Sequence, residues 1–312
     1  SYEVSHGVMI AHQAGDHEIL SLSGPCHRNF FLTSNPMVIE YHICFYWIHI
    51  WYVNMAKHKP HHTPAVDRAL DIIALLAGSQ NAMPLSEMLT KLGIPRQSLI
   101  RILNTLCDRG VVDRTGQRGF YRLGMKLLYF GDRLQDKIKL RSIGRPLMQE
   151  LAEKTRKTVE LSTLDRYQLV LIEQVEGTEG IRLYNRVGSA YPYFHAVAVG
   201  KIYLADMTPE KRHKVLTAIG LPPMTENTIT DLDELEEEIR QIKENGYAFE
   251  DQELRKGVRR IVAPIYDRVN RLAGCVGVAA TIFSLEIDDK ENLARQVIET
   301  ADRISYGMGK PK

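Results

Sequence analysis

Four side chains within six positions, Arg96, Gln97, Ser98 and Arg101, carry the donors and acceptors that read and grip duplex DNA. An arginine fork matches guanine O6 and N7 and a glutamine amide matches adenine N6 and N7, so Gln97 and Arg101 are the candidates for base readout. Ser98, with Arg114, Arg118 and Arg122 further along, suits phosphate oxygens, which fix register without specifying sequence. The alternative for each of these arginines is a solvated surface charge, and the elements that carry them decide the reading.

Leu85, Met88, Leu89 and Leu92 recur at intervals of three and four, which predicts a helix over 85–92 with one apolar face, stopped by Gly93. A second helix is expected with Pro95 in its first turn; Leu99, Ile102, Leu103 and Leu106 carry its inner face to Gly110. That phase leaves Arg96, Gln97, Ser98 and Arg101 outside, near the end that enters a major groove in a helix-turn-helix. A preceding helix over 65–77 is expected to complete the small core through Val66, Leu70, Ile73 and Leu76. Val111 and Val112, the basic turn 114–119 and the return 120–123 read as a hairpin wing.

Charge agrees with this placement. Residues 55–125 hold ten Lys and Arg against five Asp and Glu, net +5, whereas residues 126–312 hold 29 of each. A basic excess confined to one segment is what a phosphate-binding surface needs. The 312-residue chain is 44% hydrophobic and 25% charged, ordinary globular composition with room for two domains. Cys26, Cys44, Cys107 and Cys275 show no metal-like spacing and read as free thiols in a reducing cytosol.

Residues 1–54 differ from the rest, with Arg28 as their one basic residue and both tryptophans of the chain. The apolar run 37–53 is broken by Glu40, His42 and His49, which makes a poor membrane span, and it lacks the marks of a signal peptide. The expectation is an extension of doubtful structure, with Met55 the natural start of the working protein. His58, His61 and His62 follow in a short basic tail with Lys57 and Lys59, and no metal or other cofactor is expected there.

Beyond the wing, residues 125–136 and 138–158 read as two helices of a linker, the second containing Pro146. The first is the expected contact between two copies. From Val159 the pattern becomes α+β: strands over 159–163, 168–175, 181–187, 247–250, 258–266 and 273–280, and helices over 195–204, 209–219, 232–245 and 290–308. A mixed sheet is expected, with the runs 258–265 and 275–280 central because they are apolar on both faces. The domains on this reading are 1–54, 55–124, 125–158 and 159–312.

Four stretches then resemble one family: the helix-turn-helix with its wing, the run 186–205 (RVGSAYPYFHAVAVGKIYLA), the run 225–230 (TENTIT) and the run 245–264 (NGYAFEDQELRKGVRRIVAP). In this order and spacing they resemble the IclR family of bacterial transcription regulators over residues 64–308. The resemblance implies a DNA-binding winged helix-turn-helix, a helical linker, and a GAF-like or profilin-like domain that takes a small organic effector. It also implies a cytoplasmic homodimer or dimer of dimers on a palindromic operator.

The positions that match the family's pocket segments are Gly188, Ser189, Ala190 and Tyr191, His195 and Ala196, Asp251 and Glu253, Arg260, and Thr281 with Ile282. Arg260 stands where many relatives place a cysteine. It is open to clamping an acidic ligand or to pairing with Asp251. The glycine-containing loop offers backbone N–H groups to a carboxylate, and Asp251 and Glu253 offer acceptors to hydroxyls. These features point to an organic acid, keto, sugar or aromatic, as effector.

Enzymatic motifs are missing from the sequence. There is no GxSxG elbow, no HExxH and no phosphate-binding glycine loop, and Gly200-Lys201 lacks the upstream glycine. The expected function is therefore a ligand-gated operator binder without enzymatic activity. The alternative is a small-molecule sensor acting through protein partners, against which the localised +5 speaks.

Overall fold

The structure, a computed structural model, describes residues 3–5, 8–10, 63–116, 119–166, 168–179, 183, 185–191 and 193–311. The chain divides into two units, Ser1–His42 and Ile43–Lys312. In the first, β1 (Glu3–Ser5) and β2 (Val8–Ile10) form a short antiparallel pair. The expectations for the run 37–53, for Met55 and for the three histidines lie outside the described residues.

The second unit begins with α1 (Pro64–Ala77), β3 (Met83–Pro84), α2 (Leu85–Leu92), α3 (Arg96–Asp108), β4 (Val112–Arg114) and β5 (Phe120–Leu123). Ile72, Leu76, Met88, Leu99, Leu103, Val112 and Tyr121 close one core. Gly93 ends α2 in the left-handed conformation that glycine tolerates best, at φ 62°, and its N–H reaches Leu89 O. Pro95 turns out to be the residue before α3 rather than in its first turn.

The wing gains a strand the sequence did not announce. Met83 and Pro84 pair with Tyr121 and Phe120, so the sheet order is β3-β5-β4 and α2 starts directly off its edge. In α1 the buried stripe is Ile72 and Leu76, while Val66 and Leu70 are 55% and 59% exposed. The expected core phase was therefore shifted: the helix turns Ile72, not Leu70, toward α3, and a period of 3.6 carries Val66 and Leu70 to the outside.

Gly124 locks the wing to the end of α3. A Cβ there would lie 2.3 Å from Gly110 O, so only glycine permits the approach that lets Gly124 N donate to Val111 O at 2.8 Å.

Next come α4 (Lys126–Gln135) and α5 (Lys139–Thr155), with Pro146 inside α5. Among the described residues α4 buries no side chain, and Met125, Leu128, Tyr129, Phe130 and Leu134 are exposed apolar groups along it. No described helix is long and apolar enough to cross a membrane.

The remaining elements are β6 (Thr158–Asp165), β7 (Gln168–Val175), β8 (Ala190–Tyr191), α6 (Ala198–Asp206), α7 (Pro209–Ile219), α8 (Leu232–Asn245), β9 (Ala248–Asp251), β10 (Val258–Tyr266), β11 (Leu272–Thr281) and α9 (Lys290–Gly307). Six strands run in the order β8-β7-β6-β11-β10-β9. Every described ladder in this sheet is antiparallel, which corrects the expected mixed sheet. The physical reason is connectivity: short turns join β6 to β7 and β10 to β11, and a hairpin can only be antiparallel.

β10 and β11 are central and buried, as their apolar runs require. One sheet face packs α5 and α9 through Val159, Leu161, Ile261, Val276 and Val278; the other packs α6 and α8 through Leu169, Ala248, Val262 and Cys275. The strand expected over 181–187 lies partly outside the described residues, and 185–187 is not strand; the ladder resumes at β8. The helix expected from His195 starts at Ala198. Gly200 sits so close to the preceding loop that a Cβ would lie 2.2 Å from Phe194 O.

Candidate functional site

On α3, Arg96, Gln97 and Arg101 are exposed and Ser98 is half-buried. Ser98 Oγ accepts from Arg68 Nη1 of α1 at 3.1 Å, so the hydroxyl is engaged and Arg68 joins the row of cations. Arg114 is braced: Nη2 donates to Asn104 Oδ1 at 3.1 Å, and the guanidinium lies 5.4 Å from the Tyr121 ring centroid. It therefore bridges α3 and the wing. Arg122 lies opposite Asp113 at 3.7 Å in an exposed pair, the kind that is worth little and can be exchanged for a phosphate. Arg118 lies outside the described residues. No acidic side chain occupies the first turn of α3, whose free N–H groups carry partial positive charge.

The expected effector residues fall into two clusters. The first surrounds Arg260, which is 2% exposed. Its Nη1 lies 2.8 Å from Glu250 Oε1 and its Nε 3.4 Å from Glu160 Oε2, both carboxylates being buried. Glu250 Oε2 accepts from Ala198 N at the start of α6, 3.2 Å away. Glu160 accepts from Tyr191 O–H at 2.9 Å and from Asn185 Nδ2. Burial and the Glu160 charge push the Tyr191 phenol well above its usual range.

This geometry corrects two expectations. Arg260 does not pair with Asp251, because adjacent strand residues point to opposite faces. Asp251 instead meets Arg259, Oδ1 to Nε at 2.7 Å, and Arg259 also donates to Leu285 O. The loop N–H groups are also already engaged: Gly188 N donates to Leu171 O and Ser189 N to Arg186 O, and Ala190 belongs to β8. Gly188 adopts φ 90°, and its role is to make that turn. Ile282 sits apart from Arg260, with its N–H on Gly257 O.

The second cluster lies off the end of β9. Glu253, 6% exposed, places Oε1 2.6 Å from Lys201 Nζ, and Lys201, fully buried, also reaches Glu238 at 3.3 Å. Burial pushes the Glu253 carboxyl up to about 7 despite the lysine. The segment 225–228 binds this end of the sheet: Thr225 Oγ1 donates to Gln252 O, Asn227 Nδ2 to Asp251 O and Thr228 Oγ1 to Glu253 O. His195 is buried near Lys201, with Nε2 3.1 Å from Pro222 O and burial lowering its pKa. Among the described residues no group of three His, Cys, Asp or Glu is arranged to hold a metal.

Residues 65–116 match the IclR helix-turn-helix domain, and residues 133–306 match the family described as bacterial transcriptional regulator IclR C-terminal. The chain belongs to the IclR family. Its members are DNA-binding transcriptional regulators with a C-terminal ligand-binding domain, not enzymes. The regulator XynR of Escherichia coli K12 is 28% identical over 249 residues, covering 79% of this chain and 98% of XynR. BhcR of Paracoccus denitrificans is 31% identical over 248 residues, 80% of this chain and 88% of BhcR. A solved IclR regulator from Alicyclobacillus acidocaldarius shares the fold with a TM-score of 0.71 at 24% identity, covering 80% of this chain and all of that one. An IclR homologue from Microbacterium hydrocarbonoxydans, solved with 4-hydroxybenzoate, gives 0.68 at 21% identity over 78% of this chain and 98% of the other.

Within this IclR-type domain the sequence reading missed Glu160, Glu250, Asn185 and Lys201. Glu250 had a signal, since the ladder sets it directly opposite Arg260. Glu160 reaches Arg260 across the intervening strand because β11 offers only Gly277 and Ala279 between them, opposite Glu160 and Arg260 respectively. Two small residues on the central strand leave room for such a contact once the strand order brings the charges to either side.

Proposed function

We propose that two copies of the chain bind a palindromic operator and release or engage it when a small molecule binds the C-terminal domain. The observation that carries this is the exposed row Arg96, Gln97 and Arg101 on α3, flanked by the braced Arg114 of the wing. Ser98, Arg118 and Arg122 complete the phosphate contacts in this reading. The boundaries 55–124, 125–158 and 159–312 follow as DNA-binding, linker and effector parts, with 1–54 an extension.

Dimerisation through α4 is supported by its Leu128, Tyr129, Phe130 and Leu134, each at least half exposed. Two recognition helices would then meet the major groove one turn apart, about 34 Å.

The relative solved with 4-hydroxybenzoate supports a small organic effector. Here an organic acid, keto, sugar or aromatic, fits by exchanging with Glu250 at Arg260 and at the Ala198 N–H, while hydroxyls meet Glu160. Such an exchange gives the ligand unequal affinity for two arrangements, the condition for shifting an equilibrium. Gel shifts with genomic fragments, repeated with candidate acids, test the reading. Retention of particular fragments that an acid modulates supports it; uniform retention of all fragments rejects it.

A further inference from the structure

Ile72 and Leu76 form the buried stripe of α1, and one helical turn back along that stripe stands Arg68. It sits half-buried at the edge of the contact between α1 and α3, where the small core gives way to solvent. From there Nη1 donates to Ser98 Oγ, 3.1 Å away in the first turn of α3. A cation carried by one helix is thereby fixed against the end of another that bears Gln97 and Arg101.

That bond uses one of the five N–H donors of the guanidinium. Neither Nε nor Nη2 makes a bond among the described residues, and neither is sealed from solvent, so their donors stay open. No described Asp or Glu forms an ion pair with Arg68, whereas Arg122 of the wing is paired with Asp113. Ser98 keeps a donor too. Its hydroxyl has two acceptor sites and one hydrogen; Arg68 takes an acceptor site, and the hydrogen is left to donate. Open cationic N–H groups beside an open hydroxyl donor are complementary to the oxygens of a phosphate.

We propose that Arg68 is a DNA-backbone contact of each subunit, held against Ser98 so that guanidinium and hydroxyl grip one phosphate together and fix how α3 presents Gln97 and Arg101 to the bases. The assignment rests on the operator reading and extends its phosphate surface from α3 and the wing to α1. Contacts of this kind set register and orientation, and the bases set sequence.

The competing role is a staple that only fastens α1 to α3. A staple enclosed between helices needs its remaining donors met by protein, and those of Arg68 are met by solvent instead. The two roles also fail differently. Loss of a staple loosens the fold and leaves the salt dependence of DNA binding as it was; loss of a phosphate contact removes counterion release.

Fluorescence anisotropy of the full chain on a labelled mixed-sequence duplex, across about 50 to 200 mM salt, tests the proposal, because a phosphate contact operates on any sequence. Arg68→Gln keeps a donor for Ser98 and removes the charge. It should lower the slope of log affinity against log salt by about one per subunit, and Arg68→Lys, which keeps the charge, should hold the slope. Ser98→Ala should weaken binding in the parent chain and cost much less in the Arg68→Gln chain, since the two side chains share one phosphate. An unchanged slope in Arg68→Gln, with a lowered midpoint in urea, is the staple and overturns the contact, as do additive losses from the two substitutions. Either result leaves the operator reading standing; a parent chain that binds no duplex even at the lowest salt removes both.

Discussion

Arg260 and Glu250 face each other across β10 and β9, Nη1 to Oε1 at 2.8 Å, with almost no solvent at either side chain. Glu160 completes a buried group of two carboxylates on one guanidinium. Removing one partner from such a group strands the others without water. Arg260→Met should therefore cost about 3–5 kcal/mol of stability in urea denaturation. It is not the clean loss of effector response, with operator binding spared, that an unpaired clamp would give. Replacing Glu160 and Glu250 by Gln in the same variant should recover much of the loss; no recovery would mean that the charges are not what the variant disturbs.

Glu250→Gln isolates the proposed exchange. It removes the internal carboxylate that holds Arg260 and the Ala198 N–H, so an acid effector should bind more tightly, by about tenfold or more for one charge-assisted contact. Weaker binding in that variant, measured by titration with the effector acid, would contradict the exchange.

Much of this was readable beforehand, and the reasons differ by element. The helix-turn-helix was legible because α2 and α3 bury one face each and Gly93 punctuates them. The phase of α1 was not, since Leu70, Ile72, Ile73, Leu75 and Leu76 offer two overlapping stripes and only packing against α3 selects one. The roster of effector residues was half legible. Arg260 falls in a pocket segment of the family, but its partners depend on which strands lie side by side, and no local pattern in the chain states that β6 sits two strands from β10. In the sequence Gly200-Lys201 is notable only for lacking an upstream glycine, whereas α6 is buried almost throughout and Lys201 pairs inside it.

Glu253 gives a pH signature. Its carboxyl is raised to about 7 in the folded chain by burial, above the ordinary glutamate value of 4.5. Between those values the folded state binds more protons than the unfolded state, so this group makes stability fall as pH rises from about 4.5 through 7. The slope is at most about 1.4 kcal/mol per pH unit. Glu253→Gln should flatten it in denaturation curves taken across pH 5 to 8 (roughly the window of that titration); an unchanged slope would place the titration elsewhere.

Salt reports on the DNA surface. With about three cationic contacts per subunit in a dimer, operator affinity should fall on the order of a thousandfold between 50 and 200 mM salt. Arg114→Ala should lower the slope of log affinity against log salt by about two per dimer, because one phosphate contact is lost from each subunit. Fluorescence anisotropy with a labelled operator measures both; a flat salt response would overturn the assignment of the cationic contacts, and an unchanged slope in Arg114→Ala would remove the wing from the interface.

Selection of bound duplexes from a random-sequence DNA pool tests the central claim most directly. The account predicts enrichment of an inverted repeat whose half-sites are one helical turn apart, about 34 Å, with Gln97→Ala and Arg101→Ala relaxing preference at particular base pairs by about 1–3 kcal/mol each. A pool that emerges unenriched, or an enriched motif indifferent to both substitutions, would contradict it.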